Sequence, residues 1–197
     1  MTILYTLLFA LAGALLYRLR GAPWLDFLHR PIKQMLYCGG WGAVGYLLVP
    51  EWWFVLLAYV ASVGAVSLGH GSYMDLGHTV KPQDIDERPV GWILKPFAKM
   101  VGIDPTTTLY DAIGLTLNGI LMTLPFAILF WWHGDLAAGF VIFAAGASKT
   151  LAYYIGWSQY HRLSFGKRSP GPTEIGEWLT GAFQWLAFAT VYLMGAS

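Results

Sequence analysis

Cysteine and charge are what this sequence has least of. A single cysteine, Cys38, stands among 197 residues, which excludes an internal disulfide framework, a CxxC redox pair and a thiolate-based zinc site. Lys, Arg, Asp and Glu together supply only 12% of the chain, about half of the roughly 25% with which a soluble domain solvates its surface. Twelve basic and eleven acidic residues leave a net charge of +1, too little to steer the chain onto nucleic acid, which is not expected as a partner. Intrinsic disorder is excluded too, because 56% of the residues are hydrophobic and 16% aromatic. With a mean hydropathy of +0.52, the chain reads as one whose solvent is mostly lipid.

Crossing the ~30 Å hydrocarbon core of a bilayer takes roughly 20 apolar residues in a helix. Six runs qualify: residues 2–17, 35–49, 52–68, 112–132, 137–157 and 178–196. The second is short, but Pro50 ends it and Trp52 and Trp53 begin the next, a tight hairpin with aromatic anchors at the membrane surface. A second tight turn, His133-Gly134-Asp135, follows Trp131 and Trp132. The expected fold is therefore all-α, a polytopic integral membrane helix bundle of about six transmembrane helices forming one transmembrane domain over residues 1–197.

The placement of basic residues orients the bundle. Arg18, Arg20, Arg30 and Lys33 fall in loop 18–34; Lys81, Arg88, Lys95 and Lys99 in loop 69–111; Arg162, Lys167 and Arg168 in loop 158–177. The short turns on the other side carry none. Lys and Arg collect on the cytoplasmic side of membrane proteins, so these three loops are read as cytoplasmic, with both termini outside. Nothing basic precedes the first span, and Arg18 and Arg20 follow it, so it reads as a retained anchor and not a cleaved signal. The expected location is a bacterial-type inner membrane, as a multi-pass protein. Within the long loop, residues 89–101 set Trp92, Ile93, Phe97, Met100 and Val101 against Lys95 and Lys99, the pattern of a segment lying in the headgroup layer or capping the bundle. Glycine and alanine are dense in the spans, as at Gly39, Gly40, Gly42, Gly114 and Gly119, which suits close helix packing in lipid.

Three groups of residues can carry chemistry. Lys149 is the one basic residue well inside a span, roughly 12 Å from its cytoplasmic end at ~1.5 Å per residue, and a charge there costs about 2.5–3.5 kcal/mol on insertion scales. Its helical face continues through Tyr153. Asp111 and Asn118 on the fourth span, and Glu177 and Gln184 on the sixth, are each seven residues apart and hence on one face. Asn118 and Gln184 reach nearly the depth of Lys149. These stripes read either as a polar vestibule opening to the cytoplasm, with Lys149, Asn118, Tyr153, Glu177 and Gln184 as ligand-binding residues, or as a buried lysine satisfied by carboxylates, amide oxygens and tyrosines. The second group is His70, Asp75 and His78 after the third span, candidates for acid/base catalysis together with Lys149 and for holding a divalent metal, because imidazole and carboxylate are ordinary ligands. Their spacing matches no established metal motif. The third is His161, Arg162 and Arg168 in the last loop, able to bind phosphate or simply to orient the chain. Thr173 is the expected N-cap of the last helix.

Two motifs fail on inspection: Gly146-Ala147-Ser148-Lys149-Thr150 lacks the glycine pair of a phosphate loop and follows no strand, and no serine stands in a nucleophile elbow. The readings left open are an enzyme or transporter acting on an anionic, phosphorylated or lipid-linked ligand, and a non-enzymatic accessory, exclusion or immunity protein that packs in a homo- or hetero-oligomer. A third reading is an oligomeric pore or lysis protein, less favoured than these two; a continuous monomeric pore is disfavoured, since residues 121–132 and 139–145 are almost wholly apolar.

Overall fold

The computed structural model describes residues 2–19, 30–69, 99–102, 108–163 and 172–195. Six long helices occupy them: α1 (Thr2–Leu19), α2 (Arg30–Leu48), α3 (Trp52–Gly69), α4 (Thr108–Trp132), α5 (Leu136–Leu163) and α6 (Pro172–Gly195). Two stretches, Ile113–Trp132 and Leu136–Tyr153, are long and apolar enough to cross a membrane. The amphipathic segment at 89–101 lies outside the described residues except for its last three.

Two helices begin five or six residues earlier than their apolar runs predict. α2 starts at Arg30 and so carries Lys33 and Gln34 into the helix, where both are buried. α6 starts at Pro172, whose missing N–H is harmless in a first helical turn, and Glu177 thereby becomes a helical residue instead of the end of a loop. Hydropathy marks where apolar side chains begin, whereas a helix begins where its backbone bonds do.

The tight turns follow from local chemistry. After α4, the Asp135 N–H donates to the Phe130 carbonyl at 3.0 Å and the Gly134 N–H to Trp131 at 3.0 Å. This pair of bonds closes a helix C-terminus through a left-handed residue, here Gly134 at φ +82°. The Asp135 carboxylate then accepts from the Ala138 N–H at 2.9 Å, capping α5. Glu51, just before α3, lies 3.2 Å from His133, a contact that joins the α2–α3 and α4–α5 turns. These turns define one end of the bundle, the turn end. At the opposite end, here the basic end, stand Arg18, Arg30 and Lys33 at the termini of α1 and α2.

The helices close into a ring. α4 packs on α5, α5 on α6, α6 on α1 and α3 on α4, while α2 bridges α3 and α6 and meets α1 only lightly. Close approach depends on Gly119, where an added methyl would run into the Gly146 carbonyl of α5, so α4 and α5 touch backbone to backbone. In the centre, Trp41 of α2 stacks on Phe188 of α6 at 5.1 Å, and both meet Phe126 of α4, at 6.2 and 5.3 Å. These three buried rings plug the ring of helices roughly 9–11 Å from the turn end, at ~1.5 Å per residue.

The outer surface is apolar. Leu4, Leu8, Leu11 and Leu15 of α1, Leu47 of α2 and Leu56 and Leu57 of α3 are all exposed. Trp52 and Trp132 project at the turn end, 61% and 75% exposed, and Trp178 is exposed near the basic end, roughly 26 Å along α6 from Gly195.

Candidate functional site

The core-facing sides of the helices change character along their length. On α6 the buried positions run Glu177, Thr180 and Gln184, then Phe188 and Val191. On α2 they run Lys33, Gln34 and Tyr37, then Trp41 and Val44, and on α4 Asn118 is followed by Met122, Phe126 and Leu129. Each sequence is polar toward the basic end and apolar beyond the aromatic plug. Residues three and four apart share a helical face, so on α2 and α6 the change occurs at one level; on α4 it is mixed, with Leu115 buried nearer the basic end than Asn118 and Thr123 buried beyond Met122. The result is a buried polar layer on the basic side of Trp41, Phe126 and Phe188.

Lys149 sits in this layer with 4% of its surface exposed. Its Nζ donates to Asn118 Oδ1 across the α4–α5 contact, lies 4.0 Å from Met122 Sδ and stands 5.9 Å from the centre of the Tyr153 ring, within reach of its negative face. Beside it the Thr116 and Thr150 hydroxyls share a 2.6 Å hydrogen bond. The backbone contact at Gly119 brings the lysine stem against α4, which is why a long cationic side chain can be accommodated there.

The other half of the layer joins α1, α2 and α6. The Tyr37 hydroxyl donates to Gln184 Oε1, and the Tyr37 ring meets Tyr17, Trp41 and Trp185 at 5.1, 5.0 and 6.2 Å. Nearer the basic end, Arg18 of α1 lies 3.4 Å from Glu177 of α6, the carboxylate being 4% exposed. Taking ~1.5 Å per residue from the turn end, Lys149, Asn118, Tyr37 and Gln184 stand roughly 16–21 Å in and the ion pair roughly 24–27 Å.

One property of the layer is chemical. Among the described residues, the indole N–H groups of Trp41 and Trp185 and the Gln184 amide nitrogen have no acceptor, and each belongs to a side chain at most 6% exposed. Ser62 Oγ of α3 is likewise buried without a partner, and so is the Nε1 atom of Trp131 at the turn end, in a side chain that is only partly buried. Indole nitrogen can only donate, and a buried donor left unmade costs about 1–3 kcal/mol. What the layer calls for is oxygen.

The structure therefore brings together Lys149, Asn118 and Tyr153 on one side, and places Glu177 and Gln184 on the core face of α6. His161 and Arg162 belong to the last turn of α5. His70, Asp75, His78 and Arg168 lie outside the described residues. Thr173, expected as the N-cap of the last helix, is instead a residue within the first turn of α6, which already begins at Pro172. Among the described residues no three His, Cys, Asp or Glu side chains gather as a metal site would require. Sequence reasoning missed Tyr37, Trp41, Trp185 and the Arg18 partner of Glu177. The signal available was the spacing Gln34, Tyr37, Trp41 on α2, a three-and-four pattern hidden because the span was started at Met35.

No protein-family profile, no curated protein and no solved structure matches this chain.

Proposed function

We propose that this chain is a multi-spanning inner-membrane protein in which all six helices cross the bilayer, both termini lie outside and the basic end faces the cytoplasm. We further propose that its buried polar layer binds an anionic, phosphorylated or lipid-linked ligand. The membrane reading is supported by the exposed leucines of α1 to α3, which only an apolar solvent would cover without cost. It is also supported by exposed tryptophans at both ends, Trp52 and Trp132 at the turn end and Trp178 near the basic end; Trp178 stands ~26 Å along α6 from Gly195, a span that approaches the thickness of a hydrocarbon core. The ligand reading rests on one observation above the others: two buried N–H donors without acceptors, on Gln184 and Trp185, lie near the level of the Lys149 ammonium, and a third, on Trp41, borders the layer. A ligand rich in oxygen and bearing negative charge complements both. On this reading Lys149 supplies charge, Asn118 and Tyr153 hold it in place, and Gln184 with the two indoles reads the ligand's oxygens. His70, Asp75 and His78 follow the last residue of α3 within nine positions of the sequence, and on this reading they supply acid/base or metal-assisted chemistry.

A second reading, an accessory subunit, is favoured by the outward stripe of Leu4, Leu8, Leu11 and Leu15 on α1, whose four-three-four spacing suits a helix partner.

Native mass spectrometry in mild detergent tests the first reading. Wild-type protein is expected to retain one anionic lipid or phosphorylated adduct, and Lys149→Met to lose it while staying folded. A bare wild-type spectrum, or an adduct indifferent to Lys149, would contradict it. A stoichiometric second polypeptide in place of the adduct would favour the accessory role.

A further inference from the structure

Charge is nearly absent from the turn-end half of the molecule. Residues 2–17, 41–69, 119–148 and 185–197 build it, and their only Asp, Glu, Lys, Arg or His side chains are Glu51, His133 and Asp135. Asp135 is engaged in capping α5, where its carboxylate accepts from the Ala138 N–H. The other two face each other between the turns, with His133 Nε2 3.2 Å from Glu51 Oε2. Both atoms are closed off from solvent, and neither makes a hydrogen bond, to the other or to anything else among the described residues. A neutral imidazole in that place leaves a buried carboxylate oxygen unmatched. An imidazolium matches it, because attraction between opposite charges needs no hydrogen-bond alignment.

The position of the contact gives it leverage. α4, α5, α6 and α1 are joined in a row by the three most extensive helix contacts in the bundle, and the α2–α3 hairpin is held to them less extensively. Where α3 meets α4 near the turn end, the seam opens into an apolar groove of about 300 Å³ between Phe54, Leu57 and Ala58 on one side and Ile128, Leu129 and Trp132 on the other. Apolar packing is therefore incomplete just beneath Glu51 and His133.

We propose that Glu51 and His133 form a proton-dependent latch, which holds the turn end of the α2–α3 hairpin against the α4–α5 turn while the imidazole is protonated and releases it as the proton leaves. Imidazole ordinarily changes charge between about pH 5 and pH 8, where carboxylates stay ionised and phenols stay neutral. The latch is closed on the acidic side of that range and is lost as pH rises through it. The turn-end halves of α1, α2 and α6 bring no charged side chain to it, and Met1 and Ser197 lie outside the described residues.

Hydrogen exchange of the full chain in phosphatidylcholine nanodiscs, read by mass spectrometry and corrected for the intrinsic pH dependence of amide exchange, tests the latch. The reporters are the Phe54 and Val55 amides, which bond to the Glu51 carbonyl at 3.0 and 3.4 Å. In wild-type protein their open fraction is expected to rise roughly two- to fivefold from about pH 5.5 to about pH 8, as suits a partly exposed ion pair. His133→Gln and Glu51→Gln each remove one charge and keep a polar side chain, and each is expected to abolish the rise. Asp135→Asn, which preserves the cap of α5, is expected to leave it in place. Wild-type exchange indifferent to pH, a rise that persists in His133→Gln or in Glu51→Gln, or a rise that only Asp135→Asn removes would overturn the proposal.

Discussion

Gly119→Leu is expected to leave no folded, monodisperse protein. The new Cβ would overlap the carbonyl oxygen of Gly146, and a backbone oxygen cannot swing aside as a side chain can. Relief requires α4 and α5 to move apart, and they form the most extensive helix pair in the bundle. Overpacking in a dense core costs about 1–3 kcal/mol even where neighbours adjust. Here the separation would also break the Lys149–Asn118 and Thr116–Thr150 bonds, which cross the same contact. Fluorescence-detected size-exclusion chromatography reads the result. Gly39→Leu is the control: nothing lies within 4 Å of a Cβ at Gly39, so that variant should elute as wild type does.

Asn118→Leu, close to isosteric, is expected to destabilise the bundle by about 1–3 kcal/mol, because it removes the amide acceptor of a buried ammonium. Lys149→Met is expected to cost much less, since an apolar side chain of similar length needs no partner there. The double variant should therefore recover most of the stability that Asn118→Leu loses. A double-mutant cycle on thermal melting in detergent measures that coupling. Additive losses would mean that the two residues do not support each other. Paired with the loss of ligand expected from Lys149→Met, the cycle separates what Asn118 does for the fold from what Lys149 does for binding.

How far the bundle could be read in advance depended on which physical signal each part left in the sequence. The turn after α4 was legible because Gly134 and Asp135 are residues that end one helix and begin another by their own local bonds. The meeting of Lys149 with Asn118 was legible as a matter of depth, since both positions can be counted from helix ends at a fixed rise. The pairing of Glu177 with Arg18 was not. Arg18 was assigned to a loop on account of its charge, and only the ring closure of α1 against α6 brings the two together. Tyr37 and Trp41 were hidden for a different reason: both count as apolar in hydropathy, so their hydroxyl and N–H groups, which matter once buried, left no trace in the pattern. The aromatic plug likewise needs three helices at once, and no single-helix periodicity contains it.

The proposed orientation of the bundle underlies the functional proposal, because it is what would set the polar layer on the cytoplasmic side of the aromatic plug. Its most direct test is a pair of fusions at Ser197, alkaline phosphatase in one and green fluorescent protein in the other, in bacterial cells. Active phosphatase with a dark fluorescent fusion is the result expected if α6 ends outside. A bright fluorescent fusion with inactive phosphatase would place the C-terminus in the cytoplasm and contradict it.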